Sequence, residues 1–412
     1  MNSNIRIPLA AAAVGALAAA LPLVATDPVT AAANSSDAVD VIGGLGGDLH
    51  LVLARSQDDP NANLVFSPAS LAIALTMTSA GASGDTQQEM YDVLRIDDAS
   101  IHPSMGSLGD DLAAEDGFTL ANALWLQDGF AVEQQFTSTL NEQYDSELQL
   151  ADFVEDPAGA VDAVNGWVAD ATEQRITELL SVNDVTEWTR FILANAVHLD
   201  AEWDSPFSPD MTATDEFTRG DGSSVDTDFM EQTLDAAYAE GDGLQAIVLP
   251  YTNGYEMVIV LPENDGLAEF EEALAGADGD LDAVVGAFTT TEVALSLPTW
   301  DIDTHADLIP ELEALGMTLP FDRDQADFSG VTVDDSERLV VTHVIHEANI
   351  TVDEAGTEAA AATAVVGDLA MAAPGPTPPP PVPMDVDHPF FFAIRHSGTG
   401  AVVFQGHIND PS

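Results

Sequence analysis

Cysteine and lysine are both missing from the 412 residues, since the nine basic residues are all arginine. Without cysteine there is no disulfide framework and no thiol chemistry. The nine arginines stand against 71 aspartates and glutamates, a formal net charge of −62. Such a surface repels itself in dilute buffer and needs screening, whose range shortens to about 3 Å in 1 M salt. Nucleic acid and anionic membranes are disfavoured as partners by the same charge. The carboxylates run through the whole sequence, which reads as a solvated surface suited to a high-salt habitat rather than a patch for one basic partner. Catalytic patterns are missing too: there is no G-x-S-x-G elbow, no H-E-x-x-H pair, no P-loop and no G-x-G-x-x-G after a strand. His343 and His346 lie three apart in a strand-like stretch, which sends them to opposite faces and argues against a shared metal. The chain is therefore not expected to be an enzyme, and no metal or cofactor is expected.

What is present is an apolar fraction of 46%, enough over this length for a large core. Arg6 precedes "IPLAAAAVGALAAALPLVA", and "TAAANSS" then supplies small residues for processing. Residues 1–33 read as a signal peptide, with an uncleaved Ala-rich anchor as the alternative. Residues 34–412 are then expected to be one exported, soluble domain, secreted or at the cell surface. "AVDVIGGLGGDLHLVLARS" predicts a helix interrupted by glycines, and "PASLAIALTMTSAGA" a helix entered through Pro68 and buried on most sides. "SGDTQQEMYDVL" starts a further helix. "AVDAVNGWVADATEQRITELL" predicts an amphipathic helix over 160–180 with a break near Thr172. "FTLANALWLQ" is a strand or buried segment, and after the 160–180 helix the period shifts toward two. Strands are predicted over 190–203, 244–251, 255–262, 291–300, 347–356, 389–396 and 401–408. Helices early and long strands late argue for a single α+β domain over a regular βαβ winding. Residues 374–383 are proline-rich and predict an exposed, stiff polyproline II segment.

One stretch resists periodicity: "GTEAAAATAVVGDLAMAAPGPTPPPPVP", residues 356–383. Its alanines favour helix, whereas its valines and threonine suit a strand. Five other segments give it a context. "NLVFSPASLAIALTMTSAGASGDTQQEM" (63–90), "LANAVHLDAEWDSPF" (193–207), "ADFSGVT" (326–332), "VIHEANITVDEAGTEAAAA" (344–362) and "HPFFFAIRHSGTGAVVFQGHINDP" (388–411) resemble, in order, the signature segments of the serpin superfamily. With the acidic surface, a prokaryotic member from a high-salt habitat is expected. The resemblance implies about nine helices around three β-sheets, with an exposed reactive loop over about 354–388. A target serine protease attacks that loop and forms an acyl-enzyme; the cleaved loop then inserts into the central sheet and traps the protease. The implied protein is a monomeric suicide substrate. Its partner is a serine protease, with cysteine proteases a further class, and the alternative is a non-inhibitory binding or structural module of the same fold.

The residues suit insertion. As a strand, Thr357, Ala359, Ala361, Thr363 and Val365 would face the core uncharged, while Glu358 would stay hydrated on the other face. The hinge is expected over Glu354, Gly356, Thr357, Glu358, Ala359, Ala360, Ala361 and Ala362, with Gly356 supplying freedom at the base of the loop. By the resemblance, the attacked bond follows Glu354 by about sixteen or seventeen residues, placing it at Ala370–Met371, with Leu369 and Met371 as one-residue alternatives to Ala370 as the specificity residue. No arginine lies in the loop, which disfavours trypsin-like targets and favours elastase-, subtilisin- or chymotrypsin-like ones. Ser67, Ser70, Asn195 and His346 match a polar cluster beneath the opening strands, and Trp203 an aromatic where the loop enters. Thr299 falls where the family often has a lysine facing the hinge glutamate, here Glu354, and the proline-rich run makes the far side of the loop longer than usual.

Overall fold

The computed structural model describes residues 35–172, 174–263, 266–332, 338–357 and 379–412. Nine α-helices are present among the described residues: α1 (Ser35–Ser56), α2 (Pro68–Ser79), α3 (Gly84–Leu94), α4 (Ile101–Ala113), α5 (Gln134–Tyr144), α6 (Pro157–Ala171), α7 (Leu267–Gly276), α8 (Leu281–Val285) and α9 (Ile309–Ala314). The first eight strands are β1 (Leu64–Phe66), β2 (Phe118–Gln127), β3 (Gln149–Ala151), β4 (Phe191–Leu199), β5 (Ala201–Glu202), β6 (Ala213–Thr218), β7 (Ser224–Gly241) and β8 (Leu244–Pro250). The rest are β9 (Tyr255–Pro262), β10 (Thr289–Pro298), β11 (Trp300–Asp307), β12 (Val341–Val352), β13 (Gly356–Thr357), β14 (Val382–Asp385), β15 (Phe390–His396) and β16 (Val402–Ile408). The α+β class predicted from the sequence is the one observed.

Helix α2 shows how the sequence sets burial. Ser67 caps it by accepting the Ser70 N–H, Pro68 starts it without wasting a donor, and all twelve residues are buried. Its internal threonines return their hydroxyls to the Ala72 and Ala74 carbonyls at 2.7 and 2.8 Å, so no polar group is left bare. The glycines expected to interrupt α1 do not: the helix is unbroken over 22 residues. They are contact points instead. A Cβ on Gly47 would sit 3.0 Å from the Gly279 backbone, and one on Gly46 3.1 Å from both Pro68 and Gln405. Helix α6 does stop at Ala171, with Thr172 as its cap, and the described residues of the rest of the predicted span are not helical.

The seven-stranded sheet runs β3-β2-β4-β12-β11, with β5 and β13 inserted above β4 and beside β12. Strand β4 is buried along its whole length. One face, through Leu193 and Val197, meets the main core, and the other, through Ile192, Ala194 and Ala196, packs under Val161, Val164 and Val168 of α6. The remaining strands form one nine-stranded ladder, where the resemblance implied two further sheets. The physical reason is β7, 18 residues long, which pairs β10 over Phe229–Tyr238 and β8 over Ala237–Gly241, making the two sheets continuous. Strand β12 begins before the predicted 347–356 and ends at Val352. The far end of the predicted loop 354–388 is also structured. Val382–Asp385 forms the edge strand β14, parallel to β10, and Met384 and Val386 are fully buried. Pro383 is tolerated in that strand because it lies at a sheet edge, where one side of the backbone has no ladder to complete.

Candidate functional site

Strand β12 runs up the sheet to Val352 and the chain then reverses. Asp353 makes the turn: its N–H donates to the Gly356 carbonyl at 3.0 Å, and its carboxylate accepts the N–H groups of Ala355 and Gly356 at 2.8 and 3.2 Å. The returning β13 lies between two strands, Thr357 opposite both Val352 of β12 and Ala201 of β5. Below it the intervening strand is absent, and β4 and β12 pair directly, parallel, from Phe191/Val341 to Val197/Ala348. A parallel seam therefore sits directly beneath the start of a strand antiparallel to both of its walls.

Aromatic side chains hold that start. Trp203 stacks on Tyr251 with centroids 4.3 Å apart and planes at 10°, donates its indole N–H to the Asp353 carbonyl at 3.0 Å, and gives its backbone N–H to the Ala355 carbonyl at 2.9 Å. Tyr251, whose hydroxyl pKa burial pushes up, shares a 2.6 Å hydrogen bond with Thr357 Oγ1. Gly356 is required by close approach: a Cβ there would lie 2.0 Å from the Ala201 carbonyl oxygen. Glu354 accepts from Thr212 Oγ1 at 2.5 Å. Thr299, expected to face Glu354, instead marks the corner between β10 and β11 and bonds the Asp228 carbonyl, because the 291–300 strand divides there. Hinge positions Glu358, Ala359, Ala360, Ala361 and Ala362, the candidate bond at Leu369, Ala370 and Met371, and the predicted signal peptide lie outside the described residues.

Ser67, Ser70, Asn195 and His346 are brought together within the seam, fully buried. The Ser67 N–H donates to His346 Nε2 at 3.1 Å, so Nδ1 carries the proton and donates to Asn195 Oδ1. Asn195 Nδ2 in turn donates to Ser70 Oγ and to Asn122 Oδ1. Burial drives the His346 pKa down to about 3, so the imidazole is neutral near pH 7 and the whole network is uncharged. Asn122 was not anticipated, although a signal was available: "LANA" occurs twice, at 120–123 and 193–196, and the structure sets the two asparagines directly opposite each other on β2 and β4. His343 takes the opposite face from His346 and meets Asp307 at 2.8 Å.

These features define a class: an α+β protein whose central sheet holds a parallel seam, an uncharged polar cluster inside it, and a strand poised at its upper end. A family model described as serpin (serine protease inhibitor) matches residues 48–411. Serpin-Z4 of Hordeum vulgare is 31% identical over 379 residues, 88% of this chain and 94% of that protein. A serpin-like protein of Thermococcus kodakarensis is 33% identical over 380 residues, 90% of this chain and 85% of that one. The crystal structure of the thermophilic serpin Tengpin in its native state superposes with a TM-score of 0.80 at 28% identity, covering 91% of this chain and 94% of that one. The chain belongs to the serpin family. Its class is that of protein inhibitors of proteases rather than of enzymes.

Proposed function

We propose that this chain is a suicide-substrate inhibitor of exported serine proteases with elastase-, subtilisin- or chymotrypsin-like specificity. Cleavage at Ala370–Met371, or beside it at Leu369, releases the loop, which enters the seam as a new strand while the acyl-enzyme persists. The observation that carries this reading is one of register. Stepping six places on from Thr357 moves down to His346 on one wall and Asn195 on the other, and those two residues are already paired across the closed seam. The walls are thus in step for a strand in which Ala361 lies between Ala348 and Val197, and Thr363 between His346 and Asn195. Such a strand replaces one parallel junction with two antiparallel ones and adds a full ladder of hydrogen bonds.

Side chains fit the same register. Thr363 brings a hydroxyl to the one polar place on the core-facing side. Ala362 and Ala364 fall beside Ala196 and Ala194, on the face that packs under α6, where small side chains suit the contact. Ten places on from Thr357, Gly367 reaches Phe191 at the foot of β4, so the candidate bonds lie just past the end of the seam. We also place the protein outside the cell as a monomer in a high-salt, prokaryotic setting, with residues 1–33 as its export signal; the charge of −62 supports the salt. Cysteine proteases are secondary targets.

The test incubates the protein in molar salt with an elastase-like and a subtilisin-like protease and resolves the products on a denaturing gel. A boiling-stable band at the summed mass, with a released fragment beginning at Met371, is expected. Complete cleavage with the protease still active overturns the inhibitory reading and leaves a substrate or binding module of the same fold.

A further inference from the structure

A second buried polar cluster lies outside the seam. His50 of α1, Glu271 of α7 and His407 of β16 are 1%, 6% and 3% exposed, and one donor atom from each lies within 4.8 Å of the others. Glu271 Oε1 is 2.9 Å from His50 Nε2 and 2.8 Å from His407 Nδ1. Gln57 fixes the far side of the His407 ring. Its Nε2 donates to the Asn63 carbonyl at 2.9 Å, so its Oε1, 3.2 Å from His407 Nε2, can only accept. His407 must therefore carry hydrogen on Nε2. In the neutral ring, the Nδ1 lone pair then points at a carboxylate oxygen, and two acceptors face each other across 2.8 Å. Something positive belongs between them, either a proton or a metal ion. His50 adds a third donor atom from another direction. Its Nδ1 is buried without a partner, so moving its proton there and freeing Nε2 breaks no hydrogen bond to Nδ1.

We propose that His50 Nε2, Glu271 Oε1 and His407 Nδ1 form a binding site for zinc(II), with water as the fourth ligand. Two imidazoles and a carboxylate are a donor set suited to this ion, and the outer hydrogen bond from His407 to Gln57 is the kind that orients a ligating ring. A tetrahedron with bonds of about 2.0–2.1 Å needs donors roughly 3.3 Å apart, so the two edges that meet at Glu271 Oε1 open by only about half an ångström, and the third edge starts within 4.8 Å. Glu271, His407 and Gln57 line a cavity of about 630 Å³, with Asp59 and Asp387 also in its wall, and this is the side from which the water ligand would come. The ion would tie the N-terminal helix, α7 and the C-terminal strand together in a chain without cysteine. The ligands are 221 and 136 residues apart in the two bridging pairs, so no local spacing announces them.

The test strips the full chain with a chelator, in molar sodium chloride, and titrates it with cobalt(II) alone. One equivalent is expected to give the intense visible absorption of a four-coordinate ion, bleached by zinc(II); cobalt on surface carboxylates is six-coordinate and only faintly coloured. Glu271→Gln is expected to weaken binding by at least about 100-fold. Because that substitution is buried and could unfold the chain, zinc X-ray absorption on the unmutated protein gives a second readout, with two imidazoles expected in the first shell. A faint six-coordinate spectrum, an all-oxygen shell, or undiminished colour in a folded Glu271→Gln variant overturns the site.

Discussion

The two buried polar clusters solve the same problem in opposite ways. Around Glu271, burial pushes the carboxyl pKa up, but the two imidazoles against it outweigh burial and hold the group at about 2, so the cluster is built around a charge. Around His346 every partner is neutral, and burial holds the imidazole uncharged. A buried charge is costly to strip of its partners, about 3–5 kcal/mol, whereas neutral hydrogen bonds exchange at a net cost of about 1 kcal/mol each. The charged cluster joins α1, α7 and β16, elements that nothing in the proposed mechanism separates. The uncharged one spans β4 and β12, the strands that must part. Charge is spent where the fold is fixed and withheld where it opens.

The largest test of that contrast places a charge in the incoming strand. Thr363→Arg would bring a guanidinium to the place between His346 and Asn195, where it has no anion to meet. Trapping is expected to be abolished: on a denaturing gel the chain is cleaved and the covalent band disappears, while thermal unfolding of the uncleaved protein is unchanged. Trapping at the normal stoichiometry would mean that Thr363 does not enter the seam. Next in size is Asn195→Asp, which puts the charge in the wall instead. It removes the donor that Ser70 and Asn122 receive and sets a carboxylate against Asn122 Oδ1. A loss of about 3–5 kcal/mol in denaturant unfolding is expected. A change below about 1 kcal/mol would show that this cluster tolerates charge and that the contrast fails.

The fold was legible wherever a pattern has one dominant cause. The capped, wholly apolar α2 and the alternating strands were readable because burial writes directly into composition. The α1 glycines misled because a glycine that lets two backbones approach looks the same, in sequence, as one that breaks a helix. The division of the 291–300 strand at Thr299 and the bridging role of β7 depend on which strands are neighbours, and periodicity reports faces without partners. At the site, Ser67, Ser70, Asn195, His346 and Trp203 were reached through the resemblance, since an isolated serine or asparagine carries no signal of its own. Asn122 was the one member that internal repetition could have revealed.

Acid tests the neutrality of the seam directly. The unfolded His346 titrates near 6.5 and the folded one near 3, so between those values the unfolded chain holds the extra proton. Stability is therefore full above about pH 6.5 and falls as the pH drops toward 3, by up to ~1.4 kcal/mol per pH unit from this residue. His102, pulled down to about 4 by burial, acts in the same direction. Denaturant unfolding between about pH 4 and 7 is expected to show a shallower slope in His346→Gln, by up to that amount, because His102 remains in both proteins. Parallel curves would mean that the buried imidazole takes up its proton as readily as the unfolded one and that the seam is not held neutral in acid.

The smallest expected effect lies at the mouth of the seam. Trp203→Phe keeps an aromatic face against Tyr251 but loses the indole N–H that holds the Asp353 carbonyl. One neutral hydrogen bond is lost, so unfolding should change by only about 1 kcal/mol. The consequence for the hinge is kinetic. With Asp353 less firmly held, the turn that seats Gly356 and Thr357 is freer to leave, and stopped-flow measurement of insertion should show a slower step with little change in stability. An unchanged rate would mean that the backbone bond from Trp203 to Ala355 seats the hinge by itself. The aromatic pair would then be core packing that happens to lie beside the seam.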